Sequence, residues 1–148
     1  SGYMFKYNEL RDAGANVCLG TDGCASSNNL DMLETMKTSA LIQKAWREDA
    51  GALPINELFR TATVNGAKAL GLDTGEIAEG KIADIAIVDT DSTFFLSPGK
   101  FLSNLIYSAH SDCIRTLIAG GKVVMRDRIV PGEQEAMEKA KVQLDKIR

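Results

Sequence analysis

One stretch constrains this chain more than any other: Asn16-Val-Cys-Leu-Gly-Thr-Asp-Gly-Cys-Ala-Ser-Ser-Asn-Asn-Leu-Asp31-Met-Leu33. Asn16 to Gly20 is a short apolar segment that reads as a buried strand. It runs into Thr21-Asp22-Gly23, then a loop of small polar residues, then a helical pattern. Together these make one βα unit with a carboxylate at the end of its strand. In barrels built from such units, the chemistry lies at that end. Asp22 is therefore the candidate catalytic residue. Asp and Gly also favour turns, so this spacing alone is equally what a strand-end turn without chemistry would show.

The flanking sequence continues the alternation. Tyr7 to Ala13 reads as the end of a helix closed by Gly14. A helix is predicted from near Asn28, capped by that residue, with Asp31 in its first turn and Gly51 at its end. Its apolar stripe is Leu33, Met36, Ala40, Leu41 and Ala45, with Trp46 sealing one end. Another helix is predicted from Pro54 to just before Gly71, burying Leu58, Ala62, Gly66, Ala69 and Leu70. Gly66 costs about 1 kcal/mol of helix propensity relative to Ala, which predicts close packing at that point.

Beyond Gly71 the pattern changes to short strands and turns. Asp84 to Val88 is one strand, and Cys113 to Ala119 with Lys122 to Arg126 form a hairpin around Gly120-Gly121. Ile129-Val130 adds a last short strand, and Glu133 to Arg148 reads as a helix with a narrow stripe of Met137, Ala140, Leu144 and Ile147. That stripe predicts a helix docked on its own domain. The change of pattern divides the chain into residues 1–72 and 73–148, an α/β segment and a mostly-β module, neither complete.

Charge and composition exclude several classes. Seventeen basic against twenty acidic residues give a net charge of −3, which argues against nucleic acid as a partner. No apolar run approaches the roughly 20 residues that cross a bilayer, and Ser1 to Lys6 lacks the apolar core of a signal peptide, so no membrane partner is expected. Cys18, Cys24 and Cys113 form no CxxC pair, and their odd number fits a reducing cytoplasm. With one histidine, His110, the chain cannot assemble a self-contained zinc site of the usual kind.

Four stretches, in order, resemble the amidohydrolase superfamily. Gly20-Thr-Asp-Gly23 with Ser-Ser-Asn-Asn-Leu-Asp-Met-Leu is similar to its strand-8 signature. Ala62-Thr-Val-Asn-Gly-Ala-Lys-Ala-Leu-Gly-Leu72 resembles the helix that follows, and Gly75 to Asp89 the entry to the family's small β-sandwich. Asn104-Leu-Ile-Tyr-Ser-Ala and Ile118 to Met125 are similar to its closing strands. The likeness is nearest to deaminases of 5′-methylthioadenosine and S-adenosylhomocysteine and to the related chlorohydrolases.

The resemblance implies the last βα unit of a (β/α)8 barrel, followed by the C-terminal part of a β-sandwich and a terminal helix. It implies that the family's His-x-His and its other His and Glu residues precede Ser1, making the chain a C-terminal fragment that is inactive and metal-free alone. In the parent enzyme a divalent metal, zinc or else iron, would activate water. Asp22 would bind that metal or hold the water, as an ionised carboxylate is acceptor-only. The water would attack an aminopurine nucleoside at the carbon bearing the amino group, with loss of ammonia. A guanine deaminase or chlorohydrolase of the same superfamily is the alternative.

Neighbouring residues read as structural. Ser26, Ser27, Asn28 and Asn29 suit capping and turn formation, Cys24 fills a loop, and His110 packs at the surface. Lys81 and Asp84 fix a turn and a strand start. A second reading is non-catalytic: a sandwich lacking strands leaves an edge open and missing barrel neighbours leave apolar helix faces bare, which predicts a homo-oligomer or an assembly module.

Overall fold

A computed structural model describes residues 4–147. It is a mixed α/β structure in which a layer of helices carries a small antiparallel sheet. The helices are α1 (Tyr7–Asp12), α2 (Cys24–Ser27), α3 (Met32–Arg47), α4 (Ile55–Ala62) and α5 (Val64–Leu70). The strands are β1 (Ile85–Val88), β2 (Ile114–Ala119) and β3 (Lys122–Met125), in the order β1-β2-β3. A short helix α6 (Phe101–Ser103), continued by a π-helical turn over Asn104–Ser108, lies between β1 and β2, and α7 (Glu133–Leu144) closes the chain order.

The helical core collects Tyr7 of α1, Met36 and Ala40 of α3, Leu53, Leu58 of α4, and Ile106 of the π-helical turn. Leu58 and Ile106 are the largest fully buried side chains. A second cluster, Leu105, Ala109 and Cys113, joins the turn to Phe59, Val88, Phe94 and Phe95. Glu57 ties α4 to α1 by accepting from Tyr7 Oη at 3.1 Å and Arg11 Nη1 at 3.0 Å. Burial, reinforced by that carboxylate, pushes the Tyr7 phenol up to about 12.

The hairpin forms as expected. Gly120 and Gly121 both take positive φ (55° and 77°), which lets a two-residue turn match the twist of β2 and β3. Asp84 pins this turn: its Oδ1 accepts from the Gly120 N–H at 2.7 Å and its Oδ2 from the Thr74 hydroxyl at 2.8 Å. Lys81 pairs with Asp73 and Glu76, so both residues hold turns, as their sequence context indicates.

Six expectations are corrected. Residues 16–20 are extended but pair with no strand among the described residues, because a ladder needs a neighbour. The predicted helix over 54–70 is two helices broken at Thr63, whose backbone leaves the helical region at φ −129°, ψ −93°. After that break the face rotates: Ala67 is buried, whereas Ala69 and Leu70 are exposed, and no atom lies within 4 Å of a Cβ built on Gly66. In α3 the buried set is Met36, Ala40 and Gln43, while Leu41 and Ala45 face solvent. Ile129 makes only an isolated bridge with Arg126, and the predicted terminal helix ends at Leu144 with no buried residue. Its expected last residue, Arg148, lies outside the described residues, as do Ser1 to Tyr3.

Candidate functional site

Thr61 and Asn65 hold the run that leads to Asp22. The Leu19 N–H donates to the Thr61 carbonyl at 2.9 Å, and Asn65 Nδ2 donates to the Val17 carbonyl at 2.9 Å. Asn16 Nδ2 returns a bond to the Asn65 carbonyl, also at 2.9 Å. The ends of α4 and α5 thus dock the extended segment and aim its continuation outward. The Asn16…Asn65 pairing has no local sequence signal because 49 positions separate the two.

At Asp22 the chain turns through a left-handed backbone (φ 61°), a conformation that Asp tolerates better than most residues. Its Oδ1 accepts from the Gly23 N–H at 2.6 Å. That bond, helped by the Ser26 hydroxyl, holds the exposed carboxyl below the usual carboxylate range, so it is ionised at neutral pH. Gly23 then starts α2, and Asn28 ends it in the left-handed region rather than capping α3.

Asp31 takes the capping role. Its Oδ1 accepts from the Glu34 N–H at 3.0 Å, the pattern that Asp-x-x-Glu announces in a sequence. Glu34 reaches Asn29 Nδ2 at 2.6 Å, so the loop residues Asn28 and Asn29 serve turn and cap. Burial alone would raise the Asp31 carboxyl. The Ser111 hydroxyl, the N–H groups of Glu34 and Leu33 and the nearby His110 outweigh it and keep the carboxyl low. His110 is exposed, stacks edge-on to Phe94 with ring centroids 5.4 Å apart, and shares a cleft with Asp31 and Lys37.

Beside the extended segment lies an apolar groove of about 560 Å³, with Phe5, Val17, Leu19, Ile42 and Leu58 among its walls. Cys18 opens into it, and Cys18 and Cys24 are exposed free thiols. Among the described residues no three His, Cys, Asp or Glu side chains gather as a metal cluster. Asp22, an exposed ionised carboxylate, has the oxygen-donor chemistry of one metal ligand, with no three-membered donor group around it among the described residues.

Residues 4–124 match the profile of the Amidohydrolase family. The chain belongs to that family. Among amidohydrolase relatives, a 5-methylthioadenosine/S-adenosylhomocysteine deaminase of Thermococcus onnurineus is 50% identical over 128 residues, covering 86% of this chain and 30% of the relative. A zinc-bound adenosine deaminase of Xanthomonas campestris superposes with a TM-score of 0.87 at 36% identity, covering 94% of this chain and 33% of that one. A zinc complex of an atrazine chlorohydrolase from Arthrobacter aurescens gives 0.84 at 27% identity, over 94% and 32% of the two chains. The amidohydrolase segment in hand therefore spans about a third of the length of the proteins it matches. No helix among the described residues is long and apolar enough to cross a membrane.

Proposed function

We propose that this chain is the C-terminal third of a metal-dependent deaminase of aminopurine nucleosides such as 5′-methylthioadenosine or S-adenosylhomocysteine. The observation that carries the reading is Asp22, an ionised carboxylate at the outward end of the extended segment, within a family match that includes a deaminase at 50% identity. In the whole protein Asp22 would be one ligand of a divalent metal, zinc in keeping with the zinc-bound relatives. When bound, such a metal lowers the pKa of water toward about 7.

The Gly23 N–H and the Ser26 hydroxyl hold the Asp22 carboxylate in one orientation, in which it would accept a proton from the attacking water in the whole protein. Thr61 and Asn65 hold the segment that presents it. The segment through residue 72 belongs in this reading to the end of a (β/α)8 barrel, and residues 73–148 to a composite β-sandwich. Free thiols at all three cysteines support a cytoplasmic setting. The chlorohydrolase alternative has the weaker support, 27% identity against 50%.

The test joins this chain to the preceding two-thirds of the Thermococcus relative and measures ammonia release from 5′-methylthioadenosine with zinc present. The chimera is expected to turn over, and Asp22→Asn to remove at least about a hundredfold of its rate, the range for a positioned acid–base group. The chain alone with zinc is expected to be inactive. Equal rates with and without Asp22→Asn, or turnover by the chain alone, would overturn the reading.

A further inference from the structure

The turn between α4 and α5 does more than interrupt a helix. In an unbroken helix the Thr61 carbonyl would accept from the amide four residues on, that of Asn65. Here it accepts from the Leu19 N–H at 2.9 Å, the chain having left the helical region at Thr63 (φ −129°, ψ −93°). The same departure lets Asn65 Nδ2 reach the Val17 carbonyl at 2.9 Å. Three contacts fix the break. The Thr63 hydroxyl donates to the Phe59 carbonyl at 2.8 Å, and the Thr63 N–H to the Arg60 carbonyl at 3.2 Å. The backbone at Gly75 packs so closely that a Cβ there would lie 3.0 Å from the Thr63 carbonyl oxygen and 2.9 Å from Val64 Cα.

The two bonds to the segment match what a neighbouring strand would offer. In extended backbone the carbonyl of one residue and the N–H two residues on face the same edge, and successive residues alternate between edges. The edge carrying the Val17 carbonyl and the Leu19 N–H meets one donor, the Asn65 carboxamide, and one acceptor, the Thr61 carbonyl. A slip of one residue would turn that pair away, and a slip of two would move the segment by about 7 Å. Asp22 follows Leu19 by three positions, so this register sets where its carboxylate emerges. Resting on the deaminase reading, we infer that Thr63 and Asn65 are positioning residues for that reaction. The break at Thr63 hands the Asn65 side chain and the Thr61 carbonyl to residues 17–19, and so fixes Asp22 along its segment.

Two measurements test this, one of which needs no activity. Amide hydrogen exchange of the full chain reads the clamp at Leu19. Asn65→Asp keeps the size of the side chain but turns its donor into an acceptor facing the Val17 carbonyl. Thr63→Ala removes the hydroxyl that ends α4. In each variant, exchange at Leu19 should rise at least about tenfold relative to the amides of β2, which report overall stability. In the chimera with zinc, each should lower kcat at least about tenfold while KM stays within about twofold, because misplacing a catalytic group acts on the rate. Thr63→Ser, which retains the hydroxyl, should recover most of that loss. Exchange at Leu19 that rises no more than that of β2 overturns the inference, and so does an unchanged kcat in an active chimera. A chimera that does not turn over overturns the deaminase reading and the catalytic role with it, and exchange at Leu19 then decides the clamp alone.

Discussion

Gly75 joins the helical layer to the sheet, and replacing it by alanine separates two costs that the structure distinguishes. Its φ is +91°, and a Cβ built there lies 2.9 Å from Val64 Cα, 3.0 Å from the Thr63 carbonyl oxygen and 3.1 Å from Ala67 Cβ. The first cost is conformational: a left-handed backbone costs an L-residue about 1–2 kcal/mol. The second is steric. Two of the three obstructing atoms are backbone and cannot swing aside, so relief requires shifting the start of α5, about 1–3 kcal/mol by comparison with overpacked cores. Gly80→Ala is the control, since Gly80 has φ +83° with nothing within 4 Å of the added atom. Stiffening of the unfolded chain returns about 0.4–1 kcal/mol in both variants. Gly80→Ala should therefore cost about 1 kcal/mol or less, and Gly75→Ala about 2–4 kcal/mol. Urea unfolding followed by circular dichroism measures both, provided the slope of free energy against denaturant is unchanged. Equal losses in the two variants would refute the steric argument and mean that the α5 start gives way freely.

Other expectations are simpler. Leu58→Ala removes a fully buried side chain from the main cluster and should cost about 2–5 kcal/mol in the same assay; a loss under about 1 kcal/mol would mean that the site collapses. Asp31→Ala should cost about 1 kcal/mol at neutral pH through loss of the cap. Because the folded carboxyl sits below its unfolded value near 3.9, the stability it adds is complete above that value and disappears as pH falls through the lower folded one. The gap between wild type and Asp31→Ala should thus narrow as pH falls below the unfolded carboxylate value, and a gap independent of pH would remove the charge from the account. Iodoacetamide should alkylate the exposed Cys18 and Cys24 well before Cys113, whose thiol is buried and pushed up by desolvation and by Asp112. Peptide mapping of a time course reads the order, and early labelling of Cys113 would contradict its burial.

The parts of the fold legible in the sequence are those whose cause is local. Gly120-Gly121 announces its own turn, Gly14 closes α1, and Met36 and Ala40 fall in step along an unbroken helix. Thr63 defeats the same reasoning. It is neither Gly nor Pro, yet its hydroxyl bonds back to the Phe59 carbonyl at 2.8 Å and the helix stops there. Every residue then assigned by continuous periodicity, Leu70 above all, is placed out of phase. Around the candidate site, the turn at Asp22-Gly23 was legible because both residues favour turns, whereas the helix cap falls to Asp31 and not to Asn28. What braces the turn was not legible: Thr61 and Asn65 reach Leu19 and Val17 across more than forty positions, and no window of sequence contains both ends.

Ile106, finally, sets an order of events during synthesis. The main cluster begins at Tyr7 and is completed by a side chain ninety-nine positions later, from the π-helical turn after α6. Until that turn leaves the ribosome, Leu58 and Met36 have no final neighbour, and the loop that must close is long and entropically slow to close. Nascent chains ending before Ile106 should therefore engage chaperones that bind apolar surface, and release should coincide with its emergence.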